Sequence, residues 1–146
     1  MTRPIITLLS ALHILGILTA RAAVAPYSPA DLKTKASLIV SATVIEVTSR
    51  KQRSKVEKAL GIHVDRVFTI KLKVKKISKG SEIKAGDEIL VEAWQPVLRI
   101  PPLPGLQGHE TIPRKGDKVT LYLKEKTGKS YEPLLPNGIV IKKDDQ

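Results

Sequence analysis

Lys71, Lys73 and Lys75 recur at every second position, so on an extended strand their ammonium groups stand on one face at intervals of roughly 6.6 Å. Arg50, Lys51, Arg53 and Lys55 precede them in a polar run. Together the seven side chains form an anion-binding array that repeated phosphate or sulfate groups could engage. The competing reading is a solvated outer face whose lysines discourage edge-to-edge strand pairing.

Metal chemistry has fewer means. After a leader ending near Ala22, the chain keeps only His63 and His109, with Asp65, Glu110 and Asp117 as oxygen donors and no cysteine. A zinc or copper site needs three or four suitable ligands, so His63, Asp65, His109 and Glu110 would have to converge from separate loops; the alternative is that all four are ordinary polar residues. Nucleophilic catalysis is poorer still: Ser37, Ser41, Ser49, Ser54, Ser78, Ser81 and Ser130 lie in no strand-turn-helix elbow, and a base would have to be one of two histidines. With nucleophile, base and oxyanion donors unfilled, a noncatalytic role is expected, and no cofactor.

A third candidate is apolar. The segment Trp94-Gln95-Pro96-Val97-Leu98-Arg99-Ile100-Pro101-Pro102-Leu103-Pro104 is stiffened by proline. Exposed, Trp94, Pro96, Ile100, Pro101, Pro102, Leu103 and Pro104 would form a rigid partner-binding strip. Folded inward, they would form a lid, and keeping Trp, Leu and Ile out of water favours the lid.

Elements capable of positioning these groups follow from the hydrophobic period. Met1-Thr2-Arg3-Pro4 and the apolar run Ile5 to Leu18 have signal-peptide anatomy. The run is shorter than the about 20 residues of a membrane span and opens into small residues. Ala20-x-Ala22 suits a signal peptidase, so 1–22 is read as an export signal, with cleavage after Ala25 as the alternative, and no transmembrane span then remains; the competing reading is an uncleaved anchor that keeps the same run in the membrane. Periplasmic or extracellular residence follows, and the absence of cysteine points to a bacterial source. Across the whole chain 25 Lys and Arg oppose 14 Asp and Glu, a net charge of +11, and the signal removes Arg3 and Arg21 but no acid. Anionic partners are therefore concentrated near the protein. The few aromatics, Tyr27, Phe68, Trp94, Tyr122 and Tyr131, argue against nucleic acid, whose single strands need stacking platforms.

Residues 23–142 read as one domain, followed by a charged tail over 143–146. Ser28-Pro29 starts a short helix reaching about Ala36. Alternation predicts a strand over Ser37 to Thr48, a mobile loop or extended hairpin tip over Ser49 to Asp65, and a strand over Phe68 to Lys75, broken at Lys76-Ile77 as by a bulge or strand end. A third strand runs from Glu88 to Trp94. Gln95 to Lys115, with Pro96, Pro101, Pro102, Pro104 and Pro113, is expected to be a long structured loop. Val119 to Leu123, Tyr131 to Leu135 and Ile139 to Ile141 complete the strands, the last two joined by a Pro136-Asn137-Gly138 hairpin turn. Gly86-Asp87 and Gly116-Asp117 introduce strands in the same way, as Gly and Asp do in turns. The expected fold is mainly β: a small five- or six-stranded OB-like barrel with a short N-terminal helix and a long Pro-rich loop between the third and fourth strands. A small open β-sandwich is the competing architecture.

The strand Leu38 to Val44, the strand Phe68 to Ile77 ending in Lys79-Gly80, the Gly-Asp-led third strand, and the pieces Gln107-Gly108-His109, Ile112-Pro113 and Leu135-Pro136-Asn137-Gly138 give a further indication. In these the chain resembles a type of uncharacterised bacterial secreted protein with an OB-like barrel. It is similar to the netrin-like inhibitor barrels only in outline, because those insert an N-terminal cysteine that is missing here. The resemblance implies an architecture and no activity. The expectation is a noncatalytic exported binding or accessory module of the cell envelope, contacting a protein partner or an anionic polysaccharide. The alternative is a small metal-dependent enzyme or metal-binding factor using His109 and Glu110.

Overall fold

The structure, a computed structural model, describes residues 24–56, 58, 60–105, 107–126 and 130–142. The export signal read over 1–22 and the tail over 143–146 lie outside the described residues. Among the described residues no helix is long and apolar enough to cross a membrane.

Helix α1 spans Pro29–Lys35. Ser28 caps it by accepting a hydrogen bond from the Asp31 backbone N–H at 3.1 Å, while its hydroxyl donates to the Asp31 carboxylate at 2.6 Å. Leu32 on the inner face packs with Ala36, Ile39 and Leu134 in a small cluster under Tyr27 and Tyr122.

Six strands follow: β1 Leu38–Arg53, β2 Ile62–Lys79, β3 Glu88–Ile100, β4 Lys118–Lys126, β5 Ser130–Pro133 and β6 Ile139–Ile141. β1, β2 and β3 form an antiparallel meander, and β4 pairs antiparallel with β1, β5 and β6. A short parallel pairing, Val91 with Tyr131, ties β3 to β5. The chain is thus mainly β, a six-stranded sheet partly ringed on itself. Inward-facing residues at period two fill the ring: Val40, Ala42 and Val44 from β1, Ile70, Leu72 and Val74 from β2, Val91 and Ala93 from β3, and Val119, Leu121 and Leu123 from β4. Lys73 and Lys75 lie exposed between them, and Lys71 is half-buried.

Of the two readings over Ser49 to Asp65 the extended hairpin is the one found, and one segment expected to be loop is strand. β1 continues through Ser49 to Arg53 and β2 starts at Ile62, with Arg53 opposite Val64, so only a short tip joins them. β3 runs to Ile100, not Trp94, and Ile62 pairs with Ile100. Ladder hydrogen bonds do not depend on side-chain polarity, so a charged stretch can propagate a hairpin while its side chains stay in water. Pro96 is accommodated at a register shift, where β3 carries one residue more than β2. The Pro-rich connection therefore begins only at Pro101. The break near Lys76 is a bulge, and β2 continues past it to Lys79.

The Pro136-Asn137-Gly138 turn also differs from expectation, because β5 and β6 pair with β4 and not with each other. Gly138 serves close packing: a Cβ there would lie 2.4 Å from the Leu134 nitrogen and 2.5 Å from its oxygen. Asn137 clamps the chain entering α1, accepting from the Tyr27 N–H at 3.0 Å and donating to the Tyr27 carbonyl at 2.8 Å.

The Gly-Asp echo is one turn used twice. Asp87 accepts from the Lys84 N–H and Asp117 from the Arg114 N–H, each at 2.7 Å. Gly86 and Gly116 take φ of 95° and 92° and donate to Val74 and Val44. These turns aim the chain into β3 and β4 and fix Arg114 and Lys115 at one mouth of the ring.

Candidate functional site

Beyond Phe68 the three strands β1, β2 and β3 leave the ring as a projecting ribbon, and the buried side changes. Inside the ring Ile70, Leu72 and Val74 are buried; along the ribbon His63, Asp65 and Val67 are buried instead. They lie on the opposite face of β2, because each set keeps period two and the phase changes between Val67 and Ile70. The segment after β3 folds back and covers that face.

Arg99 fixes the cover. Its Nη2 donates to Asp65 Oδ1 at 2.5 Å, its Nη1 donates to the Val64 and Leu98 carbonyls at 2.9 Å each, and its Nε donates to Gln107 Oε1 at 2.9 Å. The Arg99 and Asp65 side chains retain only 8% and 3% of their exposure. One guanidinium thus joins β2, β3 and the returning segment. His63 is buried on the same face of β2, two positions from Asp65, and neither ring nitrogen has a hydrogen-bond partner among the described residues.

His109 acts as a second fastener. With its proton on Nε2, the ring donates to the Pro133 carbonyl at 3.1 Å and accepts from the Trp94 N–H at Nδ1, also at 3.1 Å. Its own backbone N–H donates to the Trp94 carbonyl, and Gln95 donates to the His109 carbonyl at 2.8 Å. The imidazole thereby links β3 to the end of β5, where the ladder itself is short. Burial pushes its pKa down, keeping the ring neutral. Gly108 allows this close approach, since a Cβ there would fall 2.6 Å from the Trp94 oxygen.

The four residues of the metal reading are accordingly spread over different tasks. Asp65 serves Arg99, His109 serves two backbone groups, Glu110 is exposed, and His63 has no acid or histidine completing a set among the described residues. No three His, Cys, Asp or Glu side chains gather among the described residues. The Pro-rich segment divides as well. Gly108 and His109 close over half-buried Trp94, while Pro96, Ile100, Pro101, Pro102 and Pro104 stay exposed and Leu103 is half-buried.

The seven cations of the anion array lie on both faces of the sheet. On the outer face Lys71 meets Glu88 at 2.6 Å, and Glu92 receives Lys126 at 2.8 Å and Arg50 at 3.6 Å. Lys71 holds the Glu88 carboxyl below its ordinary range, and Lys126 does the same to Glu92. Lys73 lies opposite Glu88 in the ladder, and Lys75 falls at the bulge. On the other face Lys51 stands directly opposite Arg66, with Arg53 two positions along β1. These three are exposed, and no ion pair joins them among the described residues. Lys55 is exposed in the hairpin tip. Ile62, Leu98 and Ile100, 57%, 41% and 50% exposed, share this bare face by register.

Arg66 escapes a reading of the sequence because the strand is recognisable only from Phe68. Arg114 and Lys115, at the mouth of the ring beside Arg66 and Phe68, escape it because proline and glycine mark their segment as a connection. The one available signal was the repeated Gly-Asp turn that places them. No family model, curated protein or solved structure matches the chain.

Proposed function

We propose that the chain is an exported, noncatalytic binding module of the cell envelope that holds an anionic polymer on the bare face of its ribbon. The scaffold is read as a small, partly open barrel of OB type, a reading supported by the ring of pairings from β1 through β2, β3, β5 and β4 back to β1. Export rests on the signal anatomy of residues 1–22.

The observation that carries the proposal is the opposition of Lys51 and Arg66. Like charges directly across a sheet are destabilising, and elsewhere this protein sets Glu88, Glu92, Glu132 and Asp65 against its cations. Edge protection does not explain Arg66, because β2 is the middle strand of the ribbon. A local conflict of this kind is expected where function demands it.

The test is polyanion binding by the purified protein. Neutralising about three charges of a single-chain polyanion predicts that affinity falls roughly 20-fold between about 50 and about 200 mM salt. Changing Lys51, Arg53 and Arg66 together to Gln is expected to flatten that slope, whereas Lys71→Gln with Lys73→Gln leaves most of it. A salt-independent affinity, or a slope untouched by the triple change, would exclude the bare face and favour a protein partner at the exposed apolar residues.

A further inference from the structure

We propose that an open cleft at the foot of the bare face seats a sugar ring, making the ligand an acidic polysaccharide; this rests on the function proposed above and adds the ligand class. The cleft holds about 620 Å³, enough for a ring and its substituents, and brings together Arg66 and Phe68 of β2 with Ile112, Arg114 and Lys115 from the connection before β4. Phe68 and Ile112 are half-buried and pack on the core, so they form a fixed apolar floor. Above it, Arg66, Arg114 and Lys115 are exposed, and no ion pair joins their side chains among the described residues.

Apolar floor and cationic rim together fit a ligand that has both a C–H face and anionic substituents. A pyranose bearing a carboxylate or sulfate has that shape. Glu46 borders the cleft but stands opposite Lys71 in the ladder, on the outer face. A dense polyanion such as polyphosphate meets the cations but has no C–H face to lay on Phe68 and Ile112. Single-stranded nucleic acid fits less well, since it needs successive aromatic platforms. Phe68 is the one aromatic at this cleft; Tyr131 is buried in the core, Trp94 lies under the returning segment, and Tyr27 and Tyr122 pack in the helix cluster.

The experiment compares a short oligogalacturonate with an inorganic polyphosphate of matched charge, by calorimetry on the full chain at low salt. The oligogalacturonate is expected to bind about tenfold more tightly, and Arg114→Gln with Lys115→Gln to remove about tenfold of that affinity while lowering polyphosphate binding much less. Both replaced side chains are exposed, so the variant keeps its core. The NMR signals of Phe68 and Ile112 should shift with the sugar and not with polyphosphate. Equal, salt-labile binding of both probes, or an equal loss for both in the double variant, overturns the cleft while leaving the bare face standing. Binding of neither probe overturns both readings.

Discussion

Exchange of Arg99 for Met is expected to remove about 3–5 kcal/mol of folding stability, because it leaves the Asp65 carboxylate buried without its cation. Asp65 is 2% exposed, and Arg99 is its partner in both hydrogen bonding and charge. The same change strips donors from the Val64 and Leu98 carbonyls and from Gln107. Replacing both members, Arg99→Met with Asp65→Leu, should recover much of the loss, since an apolar pair of similar size requires no buried charge. Denaturant unfolding of the two variants checks this. A loss below about 1 kcal/mol for Arg99→Met would be the behaviour of a surface ion pair and would mean that the returning segment does not seal this face.

Loss of His109 should be nearly as costly. His109→Ala orphans the Trp94 N–H and the Pro133 carbonyl, at about 1–3 kcal/mol each. The same ring gives stability a pH dependence. Its folded pKa lies below the ordinary value of 6.5 because of burial, so the unfolded chain takes up a proton first as pH falls. The contribution of this site is complete above the unfolded pKa and is lost progressively as pH drops from there through the folded pKa. Thermal melts between about pH 7.5 and 5 should show this decline in the wild type and a shallower one in His109→Ala. If His109→Ala unfolds like the wild type and a bound transition metal disappears with the imidazole, the ring is a ligand and not a fastener.

The mainly β character and the helix cap were legible because they rest on local rules. Val40, Ala42 and Val44, or Ile70, Leu72 and Val74, recur at every second position, and Ser28-Pro29 announces a helix start. The ribbon was legible only as the hairpin alternative over Ser49 to Asp65, and its buried face was not. Its inner phase reverses between Val67 and Ile70 because Gln107, Gly108 and His109 return from far along the chain to cover it, and alternation carries no trace of a distant cover. Pro96 argues against a strand on local grounds, yet a one-residue bulge lets the ladder pass.

Cation identities were equally visible, but their grouping was not. Lys71, Lys73 and Lys75 share a face by simple parity, yet Glu88 of β3 answers Lys71 and lies opposite Lys73. Lys51 opposes Arg66 only once the hairpin register is known, and bulges elsewhere in β1 and β2 make that register unpredictable by counting. His63 and Asp65, read as polar loop residues or metal ligands, are instead buried on one face of β2.

The most direct test of the central claim is amine footprinting of the purified protein with an acetylating reagent, with and without saturating oligogalacturonate, read by mass spectrometry at each lysine. Lys51 and Lys115 should become protected while Lys73 and Lys75 label as before. Protection centred on Lys71, Lys73 and Lys75 would move the contact to the outer face and contradict the assignment of ligand to the bare side of the ribbon.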